Sequence, residues 1–311
     1  MSKDAAAPEI DEEDRDAQTL PETVDAINKS DGKLIWEWYD KLMKNPPSVD
    51  AFLDPKNVAK NRFPNMLLYD KSRVKITGGD DYIHASWVDG YEHIGRYILC
   101  QVPFDQETES DFWRMCNQVK PSLIVVLCSS LDGQGKKQMK DFWPAPKTDK
   151  KYGQGLAVRN SYNEPNRDFD SHELYITDTR EKAKVEHKVA LMQYRKWVSD
   201  EEMPDNLLEF RAMMKIAFAR AEKEGRGEGP LLYLCPNGCH RCGILAAVDI
   251  IIERISSEKK VGVKETVVNI RKQRYGAFHR FEAYAFVADL LVRHAVSSGL
   301  VDNNFIGLRK T

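Results

Sequence analysis

The pattern of apolar positions changes several times along the chain, and each change marks an element. The first thirty residues carry Asp4, Glu9, Asp11, Glu12, Glu13, Asp14 and Asp16 with almost no apolar content before Val24. Such a stretch cannot bury enough surface to order itself, so residues 1–30 are expected to form an acidic, disordered leader. Helical spacing begins near Asp31, where Leu34, Trp38 and Leu42 share one face, and Pro46 and Pro47 should stop the run. Strand-length apolar runs follow at 123–127, 173–177 and 187–191, and helix-length runs at 207–224, 244–256 and 281–297. Residues 225–229, with Gly225, Gly227 and Gly229, read as a loop. Strands interleaved with helices suit an α/β chain, as one large domain or two small ones.

Composition narrows the class without naming a function. The chain has 311 residues, 42% of them hydrophobic and 30% charged, enough for a substantial core. A net charge of −2 gives no reason to expect nucleic acid as the main partner. No apolar run reaches membrane-spanning length, and the first thirty residues lack the charged-then-apolar pattern of a secretory signal. The six cysteines, at 100, 116, 128, 235, 239 and 242, do not resemble an extracellular disulfide framework in a chain this long. A reducing, cytoplasmic setting fits them best.

One stretch carries candidate chemistry. The apolar run 231–234 has strand length, Gly238 and Gly243 allow a bent loop, and the apolar residues from Ile244 onward are too many for a strand. Strand, loop and helix N-terminus make an anion site, because backbone N–H groups and the positive end of the helix dipole converge on the loop. Cys235 opens that loop and Arg241 follows six positions later. A thiolate can then lie beneath an anion that a guanidinium grips through two hydrogen bonds. By itself the Cys-x5-Arg spacing is weak, and the same stretch offers Cys235, Cys239 and Cys242 at the spacing of an iron–sulfur cluster, with His240 as a further ligand for zinc. Only 69 residues follow Cys242, too few for the barrel that radical enzymes build after such a cluster. No metal and no cofactor are therefore expected.

Motifs elsewhere decide between these readings. Lys60, Asn61, Arg62, Phe63 and Asn65 are followed by Tyr69 and Arg73, by Asp81 to Ser86, by Gln101 and Pro103, and by Asp111 to Met115. Phe142, Trp143 and Pro144, then Trp197 with an acidic loop, the Cys235 to Arg241 stretch, Gln273 to Gly276 and Glu282 to Tyr284 complete the series. Over residues 35–295 and in this order, the chain resembles a cysteine-dependent protein tyrosine phosphatase domain of the non-receptor kind. That resemblance implies a single α/β domain over residues 31–300, followed by a C-terminal tail at 301–311, with a twisted mixed β-sheet flanked by helices and the Cys-x5-Arg loop between a strand and a helix. It also implies a tyrosine-phosphorylated protein as partner, with no nucleic acid and no membrane span. Cys235 matches the family's nucleophile and Arg241 its phosphate clamp. Asn237, Gly238, Cys239, His240 and Arg241 fall where the phosphate is wrapped, and Phe63 and Asn65 where the tyrosine and peptide are held.

The catalytic positions depart from that pattern. Leu234 replaces the histidine before the nucleophile, Pro236 removes a backbone donor, and His240 stands where the family has glycine. Cys242 replaces a hydroxyl residue that assists the sulfur, so Cys235 is expected to keep a thiol closer to the free kind than a dedicated nucleophile has. In the acid loop, Trp197, Val198 and Ser199 stand for Trp-Pro-Asp, leaving Asp200 one place late as the candidate general acid. His279 occupies the position of the glutamine that places water. These changes point to a pseudophosphatase-like domain that binds or shields phosphotyrosine proteins. The alternatives are a slow but genuine phosphatase working through a phosphocysteine, and a scaffold with a vestigial pocket.

Overall fold

The computed structural model describes residues 18–30, 33–35, 47–153, 155–180 and 185–301. Its frame is a nine-stranded sheet whose middle is made from the most apolar strands. β4 (Tyr97–Gln101), β10 (Leu231–Cys235), β5 (Leu123–Val126) and β9 (Glu186–Tyr194) lie side by side and parallel. Strands buried on both faces read as continuous apolar runs, which is what β5 and β10 show. β2 (Arg73–Lys75) and β3 (Tyr82–Val88) extend the sheet antiparallel beyond β4. β8 (Phe169–Asp178), β7 (Leu156–Pro165) and β6 (Thr148–Tyr152) extend it antiparallel beyond β9. The outer strand, with the sequence Thr-Asp-Lys-Lys-Tyr and four exposed residues, is protected against pairing by its lysines.

Period-two alternation divides β10 between two cores. Leu231, Tyr233 and Cys235 face a large core built with the helices α3 (Leu207–Lys223), α4 (His240–Glu258), α5 (Val263–Gln273) and α6 (Phe281–Ser297). Leu232 and Leu234 face the opposite core, which holds Phe112, Trp113, Met115 and Cys116 of α2 (Gln106–Val119) together with Phe142 and Trp143. α4 is enclosed almost all round, so its apolar residues from Ile244 to Ile252 show no polar face. Its one buried carboxylate, Asp249, accepts from the Tyr97 hydroxyl at 2.8 Å and sits 2.6 Å from Arg211 Nη2 of α3. This tie fixes the helix against the strands that carry the candidate loop. The α/β architecture, the mixed sheet and the helices at 207–224, 244–256 and 281–297 thus stand where the sequence places them.

The acidic leader needs a correction at its end. β1 (Gln18–Thr19) pairs antiparallel with β11 (Lys260–Val261), and α1 (Leu20–Lys29) buries Leu20, Val24 and Ile27 in the large core. These residues recur at helical spacing on one face, and the Glu22 carboxylate accepts the Thr19 N–H at 3.1 Å to cap the first turn. Residues 1–17 lie outside the described residues. So do Trp38 and Leu42 of the helix expected after Asp31, and residues 302–311 of the tail.

Candidate active site

Cys235 is the last residue of β10 and Arg241 lies in the first turn of α4, so the candidate loop is the bend between them. The bend requires glycine at 238. Its φ is +68°, and a Cβ there would come within 2.3 Å of the Gln101 nitrogen and 2.4 Å of the Cys100 carbonyl carbon. Beneath the bend lies Arg274, fully buried, which donates through Nε to the Gly238 carbonyl at 2.9 Å and through Nη1 to the Ser86 hydroxyl at 3.1 Å. Burial, with the Arg274 charge beside it, pulls His84 down to about 3. The neutral ring can then donate from Nε2 to the Met66 carbonyl at 2.7 Å and accept from Arg274 Nη2 at Nδ1, 3.0 Å away. One guanidinium therefore fixes the shape of the loop from below.

The interior of the loop is occupied by its own side chain. Asn237 Oδ1 accepts the Cys239 N–H at 2.9 Å and the His240 N–H at 3.1 Å, and lies 3.3 Å from Cys235 Sγ. Those two N–H groups are thus satisfied within the loop itself. Pro236 has none to offer.

Arg241 is equally committed. Its Nε donates to Asp200 Oδ1 at 2.7 Å, and its Nη1 donates to the carbonyls of Leu127 at 3.0 Å and Trp197 at 2.6 Å. The guanidinium is buried, with 3% of its side chain exposed, whereas Asp200 keeps 31%. This contact ties the acid loop to the Cys235 loop, and two others hold it to neighbouring segments. Arg280 Nη1 lies 3.2 Å from Glu201 Oε1, and Gln138 Nε2 donates to the Val198 carbonyl at 2.6 Å.

The electrostatics around Cys235 set hydrogen bonds and charge against burial. Burial opposes the thiolate, and so does the Asp200 charge, but a hydrogen bond from the Cys242 thiol, the Arg241 charge and the Cys242 N–H outweigh them. The net effect holds Cys235 down to about 7. Cys242, read from sequence as a lost hydroxyl, is thus among the groups that lower the Cys235 thiol. His240 is fully buried, its ring edge-on to His279 with centroids 5.5 Å apart, and burial brings it down to about 4. His279 contacts the Gly276 carbonyl through Nδ1 at 2.9 Å and is exposed.

Two cavities flank the loop, and the candidate residues are divided between them. One, of about 410 Å³, is lined by Pro236, Arg241, Asp200, Glu201, Glu202 and Asp132 among others, so its walls are acidic. The second, of about 390 Å³, is lined by Asn65, Tyr69, Arg271, Arg274, Tyr275 and His279 among others. Phe63, half-buried under the Arg62 guanidinium, is on neither wall. The structure thus gathers Cys235, Asn237, Gly238, Cys239, His240, Arg241 and Asp200, brings His279 against His240, and sets Asn65 to one side. Among the described residues, no group of His, Cys, Asp and Glu is arranged to hold a metal ion.

The protein-tyrosine phosphatase family model matches residues 57–293, which is most of the chain and includes every residue of this site. The chain belongs to the protein-tyrosine phosphatase family. It is 27% identical over 304 residues to human tyrosine-protein phosphatase non-receptor type 9, covering 92% of this chain and 50% of that protein. It is 31% identical over 228 residues to human receptor-type tyrosine-protein phosphatase C, covering 71% of this chain and 17% of that protein. With the Drosophila melanogaster tyrosine-protein phosphatase Lar it shares 29% over 255 residues, 79% of this chain and 12% of that protein. The chain thus spans about half the length, or less, of these relatives. Receptor and non-receptor members both match, and no described helix is long and apolar enough to cross a membrane. Within this phosphatase-family domain, sequence reading missed Arg274 as the support of the loop. The only signal was its place beside Gln273 and Gly276 in a family motif, since its partners lie as many as 190 positions away.

Proposed function

We propose that this phosphatase-family domain engages tyrosine-phosphorylated protein with hydrolysis impaired, so that it binds or shields phosphotyrosine rather than turning it over. One observation carries the reading: the groups that should receive a phosphate already hold partners from the chain itself. Asn237 Oδ1 takes the N–H groups of residues 239 and 240, and Asp200 takes the Arg241 Nε. A phosphotyrosine must displace both before Cys235 can reach phosphorus.

The chemistry of the family sets what each residue would do. Cys235 would attack phosphorus as a thiolate, and the tyrosine oxygen would leave with a proton from Asp200. Water placed by His279 would then split the phosphocysteine. In this chain Asp200 faces Arg241 instead of a leaving group, and His279 opens on a cavity whose lining does not include Asp200. Loss of a single positioned donor or acid of this kind costs on the order of a hundredfold. The acidic lining of the larger cavity adds repulsion for a dianion. A second reading, a slow but genuine phosphatase, is favoured by the one reacting group kept ready, the Cys235 thiol at about 7.

Two assays on the purified protein separate these readings. Calorimetric titration with a tyrosine-phosphorylated peptide and its unphosphorylated twin should show preference for the former. Steady-state hydrolysis of an aryl phosphate should lie at least about a hundredfold below ordinary members of the family. Turnover within about tenfold of those members would establish the enzyme reading. Equal binding of the two peptides would leave a vestigial pocket on a scaffold.

A further inference from the structure

Away from the Cys235 loop, a third cavity of about 300 Å³ opens between the connection from β3 to β4 and the facing sides of α4 and α5. That volume lies at the lower end of the range for small-molecule pockets. The connection forms one wall, and the chain itself holds it in shape. The Asp89 N–H donates to Gln273 Oε1 at 2.9 Å, the Gly90 N–H to the His93 carbonyl at 2.8 Å, and the Gly95 N–H to Asp89 Oδ1 at 2.7 Å. The Tyr91 hydroxyl donates to Glu258 Oε1 at 2.7 Å and so ties the wall to the end of α4.

The lining combines apolar surface with polar groups left open. Ile250 and Ile270 are buried, while Ile94 at the rim is 52% exposed. Thr266 is only 5% exposed, yet its hydroxyl has no hydrogen-bond partner among the described residues. The Asn269 amide beside it, one turn apart on α5, has none either. Polar groups this far inside a protein ordinarily hold a partner, so the pair points to a ligand.

The charges give the ligand its sign. Three carboxylates, of Asp89, Glu92 and Glu265, stand in the lining against one guanidinium, that of Arg254. Arg254 is already met twice, donating through Nη1 to Glu265 Oε2 at 2.8 Å and lying 3.6 Å through Nε from Glu258 Oε2. Glu92 has no hydrogen bond or ion pair among the described residues. The open polar groups therefore sit in a negative field.

We propose that this cavity binds an amphipathic cation, a short apolar stem that ends in a guanidinium. The stem lies on Ile94, Ile250 and Ile270. The head donates to the oxygens of Asn269 and Thr266, with the Glu92 carboxylate supplying the opposite charge. A planar fork with five donors can meet such separated acceptors, which a compact ammonium cannot do as well.

Nuclear magnetic resonance of the nitrogen-15-labelled full chain tests this by titration with n-butylguanidinium, and with n-butylurea as its neutral counterpart of the same shape. The guanidinium should shift the amides of residues 89–95 and 263–270, with a dissociation constant on the order of a millimolar. It should bind at least about tenfold more tightly than the urea in low salt. Thr266→Val combined with Asn269→Ala should weaken it at least about fivefold, and Glu92→Gln, on the exposed connection, about two- to fivefold. Equal affinity for the urea, unchanged affinity in both variants, or no shifts at about 20 mM would each overturn the proposal. Shifts confined to residues 132–138 and 198–202 would do the same, since they would place the cation in the acidic cavity beside Arg241. The peptide acetyl-Gly-Arg-Gly-amide then separates two sources of the same chemistry. Its entry into this cavity assigns the site to an arginine side chain of a partner protein, and entry of n-butylguanidinium alone assigns it to a small molecule.

Discussion

Replacing Asn237 by alanine should make this domain bind anions better. The side chain supplies one oxygen, Oδ1, which accepts the N–H groups of Cys239 and His240 and stands 3.3 Å from Cys235 Sγ. An incoming phosphate must break both bonds and move the amide aside. Each neutral hydrogen bond is worth about 0.5–1.5 kcal/mol net, so the plug opposes the anion by about 1–3 kcal/mol. In Asn237→Ala that opposition is gone, and affinity for tungstate or inorganic phosphate should rise about 5- to 150-fold. The same two bonds stabilise the unliganded fold, so the variant should lose about 1–3 kcal/mol, or roughly 2–4 °C of Tm for each. Calorimetric titration with tungstate reads the first effect and thermal unfolding without ligand the second. An affinity within a factor of about two of the parent protein, in a variant that unfolds cooperatively, would refute the idea that Asn237 occupies an anion's place.

Four further outcomes follow from the same geometry. Asp200→Asn removes the charge that competes for Arg241, so tungstate should bind about three- to thirtyfold more tightly, discounted for the partial exposure of Asp200, whereas an unchanged or weaker affinity in calorimetry would deny the competition. Iodoacetamide alkylation of Cys235 against pH should bend near 7, stay low in Cys242→Ser and move upward in Cys242→Ala, and equal curves for the two variants would remove the Cys242 donor from the account. Because the folded Cys235 lies below its ordinary value of 9.0, its thiolate adds stability that is complete above that value and fades as pH falls through about 7, which parallel denaturation of the parent protein and Cys235→Ala would show. Gly238→Ala forces a Cβ against the β4 backbone at positive φ and should cost at least about 3 kcal/mol in urea unfolding, and a loss under about 1 kcal/mol would mean the loop is softer than described.

The frame and the chemistry of this domain were legible to different degrees. Strand β10 and helix α4 could be read from apolar runs, since both are buried on every side and leave no polar alternation to mislead. The helix α1 was hidden because seven acidic residues in the first sixteen dominate the local composition, while the three apolar residues that anchor it sit one turn apart. Asn237 was read as part of a phosphate cradle, and its side chain turns inward onto the Cys239 and His240 N–H groups. Sequence gives the type of a side chain, but whether its carbonyl oxygen points into or out of a loop depends on the turn that Gly238 makes. Cys242, judged as a missing hydroxyl, still lowers the Cys235 thiol from the first turn of α4.

Arg241 also acts as a staple between distant parts of the chain. Through one side chain it holds the carbonyl after β5, the Trp197 carbonyl and the Asp200 carboxylate, so segments near 127, 197–200 and 241 cannot separate singly. Loops that frame binding sites usually open at little cost, ahead of the core around them. Here the acid loop is tied to the end of a central strand and the start of a buried helix. Its amides should therefore exchange with solvent through the larger openings that also release β5 and α4, and a protease should find residues 197–204 only when those elements loosen. The segment that in sequence is a short surface connection thus inherits the stability of the core beneath it.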